Sequence, residues 1–192
     1  MFSFGRVPVE KQLETLATIG VRLNPNVSLD DMLLSFPRED FERKPYDLVL
    51  FVLGSEIETE PWGRHISGGA WNFAFECIEQ PGSYARILRN LTRLAKRPAL
   101  ITDIGDDITA DMPAGVLSYT LNDEPRSLDI EVQDDWADGL SVAIIMGEIA
   151  DAIDDGRKFW GADNGQAVIL FFLTDDQAAR INRLRKNALK PM

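Results

Sequence analysis

The chain has 192 residues, of which 45% are hydrophobic and 27% charged, a composition typical of a globular protein and not of a disordered one. Its 20 basic and 31 acidic residues give a net charge of −11, which disfavours non-specific binding to nucleic acids or to anionic membranes. No run approaches the roughly 20 apolar residues of a membrane span, and the opening MFSFGR lacks the apolar core of a signal peptide, so we expect a cytoplasmic protein.

The first part of the chain predicts helices. Apolar residues at helical spacing predict a helix over Val9–Ile19 that ends at Gly20. Ser28 and the acid three residues after it have the pattern of a capping box at the start of a short second helix. Tyr46–Leu53 is apolar throughout, and we interpret it as a buried helix, with a strand as the alternative.

The middle of the chain predicts a strand, a helix and a second strand. Aromatic residues alternate over Trp71–Cys77, as expected for a strand with one apolar face. Tyr84–Ala95 follows the spacing of an amphipathic helix more closely than any other segment. Pro98 stops that helix, and Ala99–Ile104 is the predicted strand after it.

Two alternating segments, Val116–Leu121 and Leu128–Val132, predict a hairpin with a loop of about four to six residues around Asn122–Pro125. Their apolar face is expected to carry Leu117, Tyr119, Leu121, Leu128, Ile130 and Val132. Asp129 and Glu131 are two residues apart and are therefore expected on the opposite, polar face.

The last part of the chain predicts a helix over Leu140–Ile153 that is apolar nearly all round, so we expect it to be well covered. A second hairpin is predicted from Lys158–Trp160 and Ala167–Leu173, and a capping box at Thr174 predicts a final helix. Because the strands occur in consecutive pairs, the sequence predicts an α+β fold, with an antiparallel or mixed sheet packed by helices in a single domain spanning residues 1–192.

Charge is unevenly distributed along the chain. Residues 83–97 and 178–192 each contain five basic residues and no acid. Asp103–Asp138 contains eleven acids and a single base, Arg126. Removing the ten clustered bases leaves 10 basic against 31 acidic residues, a net charge of −21 on the other 162 positions.

The acidic region is the first candidate for a functional site. Its carboxylates have three interpretations: a solvated acidic face, a protein-binding surface, or a site that holds Mg²⁺ or Ca²⁺ or divides acid and base roles between carboxylates. No EF-hand spacing supports the metal site. As a partner-binding surface it would comprise Asp103, Asp106, Asp107, Asp129, Glu131, Asp134 and Asp135. The expected partner is a basic protein, because complementary charge speeds association and selects partners.

Two other groups of residues are weaker candidates. Glu60, Trp62, Arg64 and the only histidine, His65, could provide acid–base chemistry, but packing around a turn explains them as well. The only cysteine, Cys77, is interpreted as a small buried side chain, and a lone cysteine fits a reducing compartment.

A stripe of basic residues lies on one face of the helix predicted over residues 84–95. It consists of Arg86, Arg89 and Arg93. We interpret it as a solvated face, with pairing to an acidic surface of the same chain or of a second copy, or nucleic-acid binding, as alternatives.

No phosphate-binding, zinc-binding or nucleophile motif is present in the sequence, so neither a catalytic residue nor a cofactor is predicted. Residues 48–64, including Pro61-Trp62-Gly63-Arg64, and the strand from Trp71 to Cys77 resemble small uncharacterised bacterial proteins grouped with immunity proteins of polymorphic toxin systems. The hairpin that ends at Asp134-Asp135-Trp136 and the turn at Gly165-Gln166 are also similar to those proteins.

The resemblance implies a non-enzymatic protein that binds and neutralises a cognate toxin in the cytoplasm. A carboxylate-based, divalent-metal enzyme and a homo-oligomeric scaffold, such as a homodimer, are the alternatives.

Overall fold

The structure is a computed structural model that describes residues 6–165 and 167–192. Gln166, part of the turn that resembles immunity proteins, and residues 1–5 lie outside the described residues. The helices of the described residues are α1 (Val9–Ala17), α2 (Leu29–Met32), α3 (Arg38–Arg43), α4 (Asp47–Leu53), α5 (Ser83–Leu94), α6 (Gly139–Ile153) and α7 (Asp175–Leu184). The strands are β1 (Trp71–Ala74), β2 (Ile101–Gly105), β3 (Ala114–Leu121), β4 (Glu124–Glu131), β5 (Arg157–Asp163), β6 (Ala167–Thr174) and β7 (Leu189–Pro191).

The strands form two antiparallel sheets, in the orders β1-β6-β5-β7 and β2-β3-β4. With the helices packed against them, the chain has the predicted α+β fold. Among the described residues, no helix has both the length and the apolar character needed to cross a bilayer.

The four-stranded sheet lies between two hydrophobic cores, and β6 contributes to both of them. Its alternate side chains enter one core at Val168, Leu170 and Phe172 and the other at Ile169, Phe171 and Leu173. A strand buried on both faces is expected to be a continuous apolar run, and β6 is apolar from Ala167 to Leu173. The first core also contains α5, α6 and the inner face of the three-stranded sheet, and the second contains α1–α4 and α7.

Both predicted capping boxes are confirmed. At α2, the Ser28 hydroxyl oxygen accepts a hydrogen bond from Asp31 N–H, and Ser28 N–H donates one to the Asp31 carboxylate. At α7, the Thr174 hydroxyl oxygen accepts from Gln177 N–H, and Thr174 N–H donates to the side-chain amide oxygen of Gln177. The apolar segment before Gly54 is helical, as preferred from its sequence.

The loop of the β3–β4 hairpin is shorter than predicted. It contains two residues, Asn122 and Asp123, with φ of 49° and 64°. Asn and Asp tolerate these left-handed values, and two such residues give the turn whose twist matches the flanking strands. Pro125 then pairs within the ladder on β4, an edge strand where the missing N–H is tolerated.

Helix α6 departs from the prediction that it is well covered. Leu140 is 72% exposed and Ile144 is 40% exposed, whereas Ile145 and Ile149 are fully buried. The helix packs against the first core with one face only, so its apolar sequence alone does not show which of its side chains are buried.

Strand β1 ends earlier than the predicted strand, at Ala74. Beyond it the backbone changes partner: the Phe75 carbonyl accepts from Ala137 N, and the Asp135 carbonyl accepts from both Cys77 N and Ile78 N at 2.8 Å. The turn between β4 and α6 is thereby tied to the end of β1.

Candidate functional site

The seven acidic residues predicted to bind a partner lie in different structural settings. Asp103 lies in an irregularity of β2 and Asp107 is exposed in the segment that follows β2. Asp134 and Asp135 lie in the turn between β4 and α6, where the Asp135 carbonyl accepts hydrogen bonds from the segment that follows β1. Among the described residues, no group of three or more carboxylate, imidazole or thiol side chains is arranged to hold a metal ion.

Asp106 belongs to the interior and not to the surface. It is 8% exposed, and its Oδ2 accepts a hydrogen bond from Ala85 N at 2.9 Å while its Oδ1 accepts one from Ile108 N at 3.3 Å. Helix α5 begins after Gly82, which has no side chain to cap it. The carboxylate of Asp106, from a distant part of the chain, accepts a hydrogen bond from a backbone N–H in the first turn of α5 in place of a capping side chain. We therefore leave Asp106 out of the proposed contact surface.

Asp129 and Glu131 lie on the outer face of the three-stranded sheet, as their spacing predicted. Asp129 pairs with Val116 of β3, and Glu131 pairs with Ala114. All four residues are exposed, and Val116 retains 55% of its surface.

The rest of this outer face is small and polar. Its other outward positions are Thr102, Ser118, Thr120, Pro125 and Ser127. None of these outward strand residues is basic. The helices that complete the core, α5 and α6, pack on the opposite, inner face. The outer sheet face is therefore open to solvent. It is uncharged near the β3–β4 turn and acidic at the opposite end, where Asp129 and Glu131 lie.

The three arginines of the basic stripe on α5 differ in their exposure to solvent. Arg86 and Arg89 are exposed, but Arg93 is half-buried and donates to the carbonyls of Ser67 at 3.2 Å and Ala70 at 3.5 Å. Burial lowers the pKa of Arg93 to about 10, with the charge of Glu56 acting in the opposite direction. Arg93 holds the segment before β1 against α5, so the three arginines do not form one nucleic-acid-binding stripe.

The residues around His65 form a short hairpin-like loop over residues 55–66. The backbones of Glu56 and His65 form an isolated antiparallel β-bridge, and the Ile57 N–H donates to the Arg64 carbonyl at 2.8 Å. Arg64 is occupied by loop carbonyls, including that of Pro61 at 3.0 Å. This confirms the interpretation of packing around a turn for Arg64.

His65 itself is poorly placed for acid–base chemistry. Its Nδ1 is buried 3.6 Å from Glu56 Oε1 and makes no hydrogen bond to any described residue. Burial lowers the pKa of His65, the charge of Arg93 lowers it further, and Glu56 opposes both. The imidazole is therefore mostly in its neutral form at pH 7 and does not offset the charge of the Glu56 carboxylate, which interacts instead with the charge of Arg93.

Cys77 is half-buried, and thus more exposed than the buried side chain that the sequence predicted. Burial is the main cause that raises the pKa of its thiol, against the effect of nearby Arg86. A thiol with a raised pKa is a poor nucleophile at neutral pH, in agreement with its interpretation as a packing residue.

A cavity of about 670 Å³ lies at one end of α4, beside the second hydrophobic core. It is bounded by α2 and the turn after it, by α4, and by the first strand-like segment of the loop over residues 55–66. Sequence reasoning missed it, because its walls come from three separate segments. The one signal in the sequence is the alternation of Glu56, Ile57 and Glu58, which places carboxylates on the open side of a buried side chain.

Comparison of the chain with protein-family models, with curated proteins and with solved structures finds no match.

Proposed function

We propose that the protein is a non-enzymatic, acidic, cytoplasmic binding protein that contacts a basic surface of a partner protein through the outer face of its three-stranded sheet. The resemblance in sequence suggests that this partner is a cognate bacterial toxin and that the protein is its immunity protein. The observation that carries the proposal is the open sheet face, on which Asp129 and Glu131 lie among small polar residues with no basic side chain.

Three physical arguments support this surface. An antiparallel sheet can leave one face in water, and such a face is flat enough to meet a globular partner. The net charge of −11 extends the negative potential beyond the two carboxylates, which favours encounter with a basic protein and disfavours nucleic acid. Asp129 and Glu131 are also exposed in the free protein, so binding needs no rearrangement of the fold.

The test compares two charge-reversal variants of the full-length protein. Asp129→Lys with Glu131→Lys alters the proposed surface, and Glu14→Lys with Glu39→Lys makes the same charge change on exposed residues of the α1–α3 region. Partners are captured from lysate of the source cell at low and moderate salt, and the association rate of the purified partner is then measured for each variant.

We expect the first variant to associate about tenfold or more slowly and the control to change much less, since electrostatic steering accounts for factors of about 10–10³ in the rate. Equal loss in both variants, or an association rate independent of salt, would contradict a specific acidic surface. A partner that is not basic would contradict the proposed partner class.

A homo-oligomeric scaffold is the second candidate, and the exposed apolar face of α6 favours it. Leu140 and Ile144 are large apolar side chains left in water at 72% and 40% exposure. Light scattering at low and high salt tests this candidate, and a monomer under both conditions excludes it.

A further inference from the structure

The cavity at the end of α4 has an apolar floor. Met32, Val52, Ile57 and Ile66 line it and are each less than 5% exposed. Phe36 and Phe51 are half-buried at its side, with ring centroids 6.5 Å apart in an edge-to-face arrangement. An apolar group that enters the cavity would therefore exchange water for aliphatic and aromatic contacts.

The opening of the cavity is acidic and rich in hydroxyl groups. Its polar lining residues are Asp31, Ser35, Ser55, Glu56, Glu58 and Thr59. None of the lining residues, all within the described part of the chain, is a lysine, arginine or histidine. The charged residues of the lining are therefore all acidic, and its buried part is apolar.

The carboxylates are charged and only partly compensated by the protein. Hydrogen bonds from Ser28 are the main cause that lowers the pKa of Asp31, whose nearest cation, Arg64, lies 3.8 Å away. Glu56 lies beside His65, which is mostly neutral, and interacts at longer range with the charge of Arg93. Glu58 is exposed and makes no ion pair with any other described residue. Glu56 and Glu58 consequently present negative charge to whatever occupies the opening.

We propose that this cavity is a binding site for a small organic cation, in which an ammonium or guanidinium group is attached to an apolar body. The cationic group meets Glu56 and Glu58 and donates hydrogen bonds to their carboxylates and to the neighbouring hydroxyl groups. The apolar body lies on Phe36, Phe51 and the buried floor. The site is separate from the outer sheet face and does not depend on the proposed function.

The size and the charge of the cavity suit a small cationic molecule. A volume of 670 Å³ falls within the range of about 300–1,000 Å³ typical of ligand pockets. An anionic ligand would meet three carboxylates and no cation in the lining.

The experiment titrates the isotope-labelled full-length protein with two probes that share a phenylbutyl group and differ in charge, 4-phenylbutylamine and 5-phenylpentanoate. We expect the ammonium probe to shift the backbone amide signals of residues 31–36 and 51–59, with a dissociation constant of about 1 mM for a ligand of this size. The carboxylate probe is expected to bind at least tenfold more weakly. Equal binding of the two probes, or no shift at concentrations tenfold above the expected constant, would overturn the proposal.

Two variants separate the cavity from general electrostatics. Glu56→Gln with Glu58→Gln keeps the shape of the opening, and we expect it to weaken the ammonium probe about tenfold. Asp129→Asn with Glu131→Asn removes the same charge from the outer sheet face and should leave the probe's affinity unchanged. Equal weakening by both variants would show attraction to net charge only and would overturn the site. Because no partner protein is present, the result is independent of the binding test on the sheet face.

Discussion

The change Asp106→Ala tests whether this carboxylate holds the fold together or belongs to the acidic surface. Asp106 and Asp107 are adjacent acids that the sequence presents as equivalent. In the structure Asp106 accepts hydrogen bonds from the N–H groups of Ala85 and Ile108, while Asp107 is exposed. Asp107→Ala is therefore the matched control for Asp106→Ala, since it removes the same charge from an exposed neighbour.

The magnitude follows from the contacts that each variant loses. Removing an N-terminal helix acceptor costs about 0.5–2 kcal/mol, and leaving a buried N–H without a partner costs about 1–3 kcal/mol. The bond to Ile108 is longer, at 3.3 Å, and contributes at the lower end. Relief of the desolvation of a buried carboxylate offsets part of the loss. We expect Asp106→Ala to lower the free energy of unfolding by about 2–3 kcal/mol and Asp107→Ala by less than about 0.5 kcal/mol.

Urea unfolding followed by far-ultraviolet circular dichroism measures both values. The slope of free energy against denaturant should be the same in the two variants, so that the midpoints report stability alone. Equal stability of Asp106→Ala and Asp107→Ala would refute the assignment of Asp106 to the start of α5.

Three further predictions concern other buried groups. Gln12→Leu removes the side chain that bonds to Phe41 O and Tyr46 N, and should cost about 2–4 kcal/mol in the same unfolding assay. Ile145→Ala should cost about 2–5 kcal/mol and Leu140→Ala under about 0.5 kcal/mol, because only the first is buried; equal costs would contradict the orientation of α6. Since burial lowers the pKa of His65, the unfolded chain binds its proton first, so stability should fall as the pH drops below about 6.5; a His65→Gln variant that keeps the full slope between about pH 7.5 and about pH 5.5 would contradict this.

Local sequence signals determined much of the fold. The capping boxes at Ser28 and Thr174 satisfy backbone groups within three residues, so neighbouring side chains suffice to predict them. The apolar spacing of α5 and the continuous apolar run of β6 are also local, and both elements form where they were predicted. Consecutive pairs of strands then indicated the α+β class, because short connections favour antiparallel neighbours.

The tertiary structure alone decided which of the candidate residues share a surface. Whether an acid is buried depends on a partner far along the chain. Asp106 accepts a hydrogen bond from Ala85, 21 residues earlier, and nothing in the sequence distinguishes Asp106 from Asp107. The apolar sequence of α6 does not report which face is covered, because the covering side chains come from other elements. The cavity between α2, α4 and residues 55–59 was unpredictable for the same physical reason: its walls meet only when the chain has folded.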